Sequence, residues 1–204
     1  DKREYGEEKN IYEIFDYQIA YEIRLQQAME EDLLCPFHYY GISDLKMISD
    51  DQSIDFNQLV SEERVKHIIE QANYYGYSGN RVKGLIFCRN IKEADELSKK
   101  FNECGYSTLS LNGSHSESQR KEAFERLAMD YESNGLKPLD YIFSVEILNE
   151  GVDIVEVNQV IMLRPTQSPI VFIQQLGRGL RKAKGKEYVV ILDFIGSYNN
   201  NFMI

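Results

Sequence analysis

The chain has 204 residues, of which 43% are hydrophobic, and a formal net charge of −10; this length is enough for one full domain with an apolar core. No run approaches the roughly 18 consecutive apolar residues of a transmembrane helix, and the start of the chain, Asp1-Lys2-Arg3-Glu4, lacks the apolar core of a signal peptide; we therefore expect a cytoplasmic protein with no membrane partner. The three cysteines and three histidines have no metal-ligand or redox spacing, which argues against a metal site or a disulfide framework.

The negative charge is concentrated in the first third of the chain. Residues 1–75 contain 7 Lys or Arg and 17 Asp or Glu, whereas residues 158–204 contain 6 basic and 2 acidic residues. A run of charge is usually a solvated surface. The basic carboxyl-terminal segment therefore permits phosphate binding without demonstrating it.

Residues 1–16 are rich in Asp, Glu and Lys and are interpreted as a tail or linker from an upstream domain, because the chain does not begin with methionine. The spacing of apolar residues predicts a helix from Tyr17 to Leu34, followed by an extended segment from Pro36 to Ile42. The polar stretch from Asp44 to Asn57 is interpreted as a loop. Ser61 is predicted to cap a helix that ends at Tyr75.

From residue 81 onward, apolar strand-like segments alternate with amphipathic helices. Continuous apolar strands separated by helices of about 10–15 residues indicate an α/β fold, with a parallel sheet covered by helices on both faces. We therefore predict one domain at 17–204, with lead-in helices and a first strand at 17–80 and a core at 81–204. The predicted core strands are Gly84–Cys88, Ser107–Leu111, Leu139–Ser144, Gln159–Leu163 and Tyr188–Leu192, and the predicted core helices are Lys92–Cys104, Ser116–Tyr131 and Pro169–Lys182.

The last predicted helix carries polar side chains on one face. Gln174, Arg178 and Arg181 occupy positions i, i+4 and i+7, so they project in similar directions. Gly177 and Gly179 each cost up to about 1 kcal/mol relative to alanine inside a helix, which indicates that another surface approaches the backbone there. This face is either a solvated basic surface or a set of side chains that contact a phosphate.

Ligands of parallel α/β sheets bind beyond the carboxyl ends of the strands, so the loops that follow the strands are candidate sites. Arg89 and Asn90 follow the first core strand, and Gly113 and Ser114 follow the second. Each loop places donors at a helix N-terminus, where the helix dipole favours a phosphate. An ordinary capping turn explains either loop equally well when it is considered alone.

Two further loops lead from the same edge of the predicted sheet. The segment that begins at Ser144 contains Gly151, which allows a backbone turn close to a ligand, and Asp153, which is either an acceptor for a ribose hydroxyl or a turn residue. The fourth core strand is followed by Arg164, which adds a cation. These loops extend the candidate site along the edge.

Together these segments resemble the second RecA-like domain of superfamily-two helicases, from Tyr17 to the carboxyl terminus. Leu85–Cys88 is similar to motif IV, Ser144–Ile154 to motif V, and Gln174–Arg181 to the Q-x-x-G-R-x-x-R of motif VI. The resemblance extends to a bacterial family related to the helicase subunits of restriction enzymes, through Met162–Thr166, Gln174–Lys182 and Leu192–Phe202.

The resemblance implies an ATP-dependent motor that uses Mg²⁺ and acts on DNA or RNA. It implies that Arg178 and Arg181 contact a triphosphate held mainly by an upstream RecA-like domain, with one of them as the arginine finger, and that Gln174 helps to hold the γ-phosphate. A positioned arginine of this kind is worth about 10³ to 10⁵ in rate. The other implied contacts are to the nucleotide, from Glu150, Gly151, Asp153 and Gly177, and to a nucleic-acid backbone, from Arg89, Asn90, Gly113, Ser114, Ser144 and Arg164.

Two elements of a complete motor are missing from the sequence: a G-x-x-x-x-G-K-[ST] phosphate cradle and an acidic pair at a strand end that would hold Mg²⁺. The nearest cradle match is Gly185-Lys186, but Glu187 stands where Ser or Thr is required. The nearest acidic pair, Asp95-Glu96, lies inside a predicted helix. We therefore expect half of an active site, and no ATP hydrolysis by this chain alone.

Two other kinds of function are compatible with this fold class. A non-catalytic α/β module could bind a nucleic acid or a protein, but it would not require Asp153, Gln174, Arg178 and Arg181 together. A response-regulator-like domain would require an acidic pair beside a strand-end aspartate, and Asp193 follows a strand without such a pair. The sequence therefore favours the motor domain over both alternatives.

Overall fold

The computed structural model describes residues 35–45, 55–145, 156–164, 183 and 185–194. Six strands and four helices lie within these described residues. The strands are β1 (Phe37–Gly41), β2 (Gly84–Phe87), β3 (Thr108–Leu111), β4 (Tyr141–Ser144), β5 (Gln159–Met162) and β6 (Val189–Asp193). The helices are α1 (Phe56–Leu59), α2 (Glu62–Tyr75), α3 (Ile91–Glu103) and α4 (Glu117–Ala128).

The six strands form one sheet in the order β1-β6-β5-β2-β4-β3, and every described pairing is parallel. This confirms the predicted parallel sheet. Each predicted core strand and the extended segment at Pro36 to Ile42 corresponds to an observed strand, with bounds that agree within two residues. The predicted helices at Tyr17 to Leu34 and Pro169 to Lys182 lie outside the described residues.

Helices cover both faces of the sheet. Successive strand residues point to opposite sides, so each apolar strand contributes side chains to a cluster on each face. On one face, Ile68 of α2 and Leu97 of α3 pack in a cluster with Ile86. On the other face, Phe124 of α4 packs in a cluster with Leu85. Strands that are apolar on both sides are therefore buried on both sides, as the continuous apolar runs predicted.

The predicted helix from Ser61 to Tyr75 is confirmed as α2, and the Ser61 hydroxyl accepts from the Arg64 backbone N–H at 3.3 Å. The loop predicted from Asp44 to Asn57 is wrong at its end, because α1 begins within it. The Asp55 carboxylate caps this short helix by accepting from the Asn57 backbone N–H at 3.1 Å.

The helix predicted to reach Tyr131 ends earlier, at Ala128. Two cations from the loop before β2 satisfy the carbonyls of its last turn. Arg81 donates to the Met129 carbonyl at 2.8 Å, and Lys83 donates to the Ala128 carbonyl at 2.6 Å. Because these carbonyls have side-chain partners, the chain can leave the helix at this point.

The Arg81 guanidinium also pairs with Asp140 just before β4, at the amino edge of the sheet, with an N–O distance of 3.1 Å. The second carboxylate oxygen of Asp140 accepts from the Ser107 backbone N–H at 2.8 Å. One carboxylate therefore joins a guanidinium to a backbone amide before β3.

All three cysteines lie among the described residues, and none forms a disulfide. Cys35 and Cys88 are buried, whereas Cys104 is exposed at the carboxyl end of α3. Burial raises the pKa of the Cys88 thiol well above its ordinary value, and the nearby Glu93 charge adds to the effect. In the described part of the chain, no helix has the length and apolar character needed to cross a membrane.

Candidate nucleic-acid interface

The carboxyl ends of the strands align in one row across the sheet. The register pairs Leu111 with Ser144, Ser144 with Phe87, and Phe87 with Met162. Neighbouring strands lie about 4.8 Å apart, so the ends of β3, β4, β2 and β5 span roughly 15 Å. The candidate loops that follow these four strands therefore start on the same edge, as predicted.

The loop after β2 is fixed by the first turn of α3. Asn90 is the N-cap residue, and its side-chain oxygen accepts from the Glu93 backbone N–H at 2.9 Å. In return, the Glu93 carboxylate accepts from the Arg89 backbone N–H at 2.8 Å. The capping interpretation therefore holds for Asn90, while the half-buried Arg89 side chain donates through Nε to the Leu163 carbonyl at 3.4 Å.

Glu93 also belongs to a buried group of charges. The Arg64 guanidinium donates to Glu93 at 2.8 Å and to Asp44 at 2.9 Å, and all three side chains are at most 1% exposed. Burial opposes the charge on Arg64, but the two carboxylates outweigh it and raise the pKa of the guanidinium. Arg64 is therefore a permanent buried cation between β1, α2 and α3.

The loop after β3 closes on itself. Ser114 donates to the Asn112 side-chain oxygen from its backbone N–H at 2.9 Å and from its hydroxyl at 2.6 Å. The Asn112 backbone N–H donates to His115 Nδ1 at 3.2 Å, which requires that nitrogen to be unprotonated. Gly113 and Ser114 remain exposed in this closed loop.

Arg164 joins the ends of β5 and β4. It lies just beyond β5 and donates from Nη1 to the Val145 carbonyl at 2.6 Å, across the end of β2. Its Nε is buried and has no hydrogen-bond partner among the described residues. Ser144 is 5% exposed, and its carbonyl accepts from the Cys88 backbone N–H at 2.8 Å.

The predicted nucleotide contacts belong to two segments that leave this edge after Val145 and after Arg164. The residues concerned, Glu150, Gly151, Asp153, Gln174, Gly177, Arg178 and Arg181, lie outside the described residues. Among the residues that are described, no group of three or more His, Cys, Asp or Glu could hold a metal ion. No described residue is therefore assigned to Mg²⁺.

Three side chains that shape this edge are not among the sequence predictions: Arg64, Glu93 and Arg120. Arg120 of α4 donates to the Asn112 and Gly113 carbonyls at 3.4 and 3.3 Å. The spacing of Asn90 and Glu93 matches the signature of a helix start, an N-cap residue followed three positions later by Glu or Gln, and this pattern could have identified Glu93. No comparable local pattern marks Arg64.

The family model described as "Helicase conserved C-terminal domain" matches residues 63–183. This match covers more than half of the chain, including β2 to β5 and the segments that follow β4 and β5. The chain belongs to the helicase C-terminal domain family. Its parallel sheet has the RecA-like fold predicted for the second domain of superfamily-two helicases.

Two curated proteins and one solved structure are similar to this chain. The chain is 24% identical over 183 residues to a 51.5 kDa protein of a Lactococcus phage and 24% identical over 187 residues to the putative ATP-dependent helicase IRC3 of Saccharomyces cerevisiae. These alignments cover 87% and 88% of the chain but only 38% and 26% of the relatives. The fold also matches the ATP-dependent Type ISP restriction-modification enzyme LlaBIII bound to DNA, with a TM-score of 0.55 and 23% identity, covering 81% of this chain and 12% of that enzyme.

Proposed function

We propose that this helicase C-terminal domain is one half of an ATP-driven motor that moves along DNA in the cytoplasm. The observation that supports the proposal best is the row of strand ends, which collects the loops after β2, β3, β4 and β5 on one edge. A DNA substrate is favoured by the similarity in fold to an enzyme whose structure contains DNA. The domain boundaries, 1–16 for the linker and 17–204 for the motor domain, are part of this proposal.

In this proposal, the nucleic-acid backbone lies along the edge formed by the first two loops. Arg89 supplies positive charge, while Gly113 and Ser114 present an exposed turn. Asn90 contributes through the helix start that it caps, because the free N–H groups of a first turn attract phosphates. Ser144 and the remaining Arg164 donors complete the edge in this proposal.

In this proposal the nucleotide is held mainly by a second, upstream domain. An upstream RecA-like domain would bind ATP and Mg²⁺, and Arg178 or Arg181 would reach the γ-phosphate as the arginine finger, with Gln174 beside it. Glu150, Gly151, Asp153 and Gly177 would contact the nucleotide from this side. ATP binding would close the two domains and hydrolysis would allow them to open. Repeated closing and opening would move the carboxyl edge of the sheet along the nucleic-acid strand.

The phosphate contacts are tested by salt titration of the full-length protein on a single-stranded DNA oligonucleotide. The logarithm of the binding constant should fall linearly with the logarithm of salt concentration, and Arg89→Ala should reduce the slope by roughly 0.7 to 1. The matched control is Lys99→Ala, which removes an exposed cation in the second half of α3, away from the strand ends.

A slope that is unchanged in Arg89→Ala would remove Arg89 from the interface. The same titration with an RNA oligonucleotide of equal sequence tests the choice of DNA. Tighter binding to RNA would overturn that choice while leaving the motor assignment intact. Binding without any ATP hydrolysis by the full-length protein would support the alternative, a non-catalytic binding module.

A further inference from the structure

The Glu93 carboxylate has two partners of different kinds, and neither is solvent. One oxygen accepts from the Arg64 guanidinium at 2.8 Å, and the other accepts from the Arg89 backbone N–H at 2.8 Å. The side chain is 0% exposed. Its position therefore depends on protein groups alone.

Arg64 fixes the Glu93 carboxylate from the other side. It donates to Asp44 from Nε at 3.1 Å and from Nη2 at 2.9 Å, and to the Leu59 carbonyl from Nη1 at 2.7 Å. The guanidinium is planar and presents its donors in a rigid fork. Because Asp44 follows β1 and Leu59 ends α1, the orientation of Glu93 is set by elements outside the loop that it holds.

The Arg89 amide is a sensitive point for the interface because it is the second peptide after the end of β2. Its direction determines where the Arg89 side chain starts and how the Asn90 cap enters α3. The Glu93 backbone N–H also donates to Asn90 at 2.9 Å, so Glu93 secures both residues of this loop. Through its contact with Arg64, Glu93 is also connected to α2, which contains Arg64, and to Asp44 after β1.

We propose that Glu93, held by Arg64 and Asp44, is a positioning residue that fixes the Arg89–Asn90 loop in its nucleic-acid-binding conformation. The inference rests on the proposed function, because the loop is assigned there to the nucleic-acid backbone. A buried ion pair is weak support for a stabilising role by itself, since its desolvation cost often offsets its attraction. The proposed effect of the Glu93 carboxylate is to hold the Arg89 amide in one position.

The chain contains a matched control for the proposal. Asp140 joins the Arg81 guanidinium to the Ser107 backbone N–H in the same manner, but at the amino edge of the sheet. Asp140→Asn and Glu93→Gln therefore break the same kind of link at opposite edges, although the Asp140 side chain is 28% exposed and the Glu93 side chain is fully buried. Loss of such a link at the amino edge should not weaken DNA binding, whereas a positioning role predicts weaker binding for Glu93→Gln.

The test is a double-mutant cycle in the full-length protein, with the dissociation constant for a single-stranded DNA oligonucleotide as the readout. Glu93→Gln and Arg89→Ala should each raise the constant by about tenfold, and the double variant should raise it little further, because residues that act as a unit are not additive. Asp140→Asn should leave it unchanged. Additive effects of Glu93→Gln and Arg89→Ala, or an unchanged constant for Glu93→Gln, would overturn the proposal.

Hydrogen exchange of the Arg89 amide provides a readout without nucleic acid. Exchange should accelerate by about tenfold or more in Glu93→Gln, since the amide loses a charged acceptor, and it should remain slow in Asp140→Asn. Unchanged exchange in Glu93→Gln would contradict the positioning role. Faster exchange in Glu93→Gln together with normal DNA binding by Arg89→Ala would show that this loop does not bind the nucleic acid. The proposed positioning role for binding would then be wrong as well.

Glu93→Asp is the second variant if Glu93→Gln does not fold. It retains the negative charge beside Arg64 but is one methylene shorter, so its carboxylate cannot reach both partners. We expect faster Arg89 exchange and weaker DNA binding in this variant too. Normal values of both quantities in folded Glu93→Asp would overturn the inference.

Discussion

Replacement of Arg181 by alanine in the full-length protein should lower the turnover number for ATP hydrolysis by about 10³ to 10⁵. The proposed reason is that phosphoryl transfer spreads negative charge over the γ-phosphate oxygens, and a guanidinium in contact with them stabilises that charge in the transition state. Steady-state hydrolysis with saturating ATP and nucleic acid measures the effect. A lysine at this position would restore the charge but not the planar fork, so Arg181→Lys should recover little activity.

Lys182→Ala is the control for Arg181→Ala because it removes a neighbouring cation of the same basic segment. An unchanged turnover number for Arg181→Ala would transfer the proposed finger to Arg178 or exclude a finger from this segment of the sequence. The chain alone should not hydrolyse ATP above background, since it lacks the phosphate cradle. Robust hydrolysis by the chain alone would contradict the assignment of half a site.

The second large effect concerns stability. Arg64→Ala should lower the free energy of unfolding by about 3–5 kcal/mol, because it leaves the carboxylates of Asp44 and Glu93 buried without their cation. Urea unfolding of the chain followed by circular dichroism measures this change. The combined variant with Asp44→Asn, Arg64→Met and Glu93→Gln should recover part of the loss, since it removes all three charges together.

An exposed pair in the same helix provides the comparison for Arg64→Ala. The Lys66 Nζ and Glu70 Oε1 atoms lie 3.9 Å apart, and the two side chains are 78% and 59% exposed. Lys66→Ala should therefore change the unfolding free energy little. Equal losses for Lys66→Ala and Arg64→Ala would show that burial of the charges is not the cause. A loss well below the expected range for Arg64→Ala would show that water reaches the two carboxylates.

The strands were predictable because their cause is local. Gly84 to Phe87 is a short apolar run between polar segments, and such a run is typical of a strand buried on both faces. The end of α4 was not predictable, because the carbonyls of Ala128 and Met129 are satisfied by cations more than 40 residues earlier in the chain. Helix spacing alone contains no information about such partners.

The candidate site likewise has parts that local sequence predicts and parts that depend on distant residues. The loops that contain Arg89 and Gly113 were identified because they follow strands, and a parallel sheet places all such loops at one edge. The role of Arg64 was not predictable, since arginine is rarely buried and its partners Asp44 and Glu93 lie 20 and 29 residues away in sequence. The strand order, which decides which loops are neighbours, also depends on long-range pairing.

The distribution of the three cysteines makes the chain convenient for fluorescence work. Cys104 is exposed, whereas Cys35 and Cys88 are buried, and the raised pKa of Cys88 further suppresses its thiolate. A maleimide dye applied to the folded chain therefore reacts at Cys104. Because α3 begins at the carboxyl edge of the sheet and Cys104 follows its last turn, the dye would sit at the amino edge, away from the edge proposed to bind nucleic acid, and would report on movements of the domain.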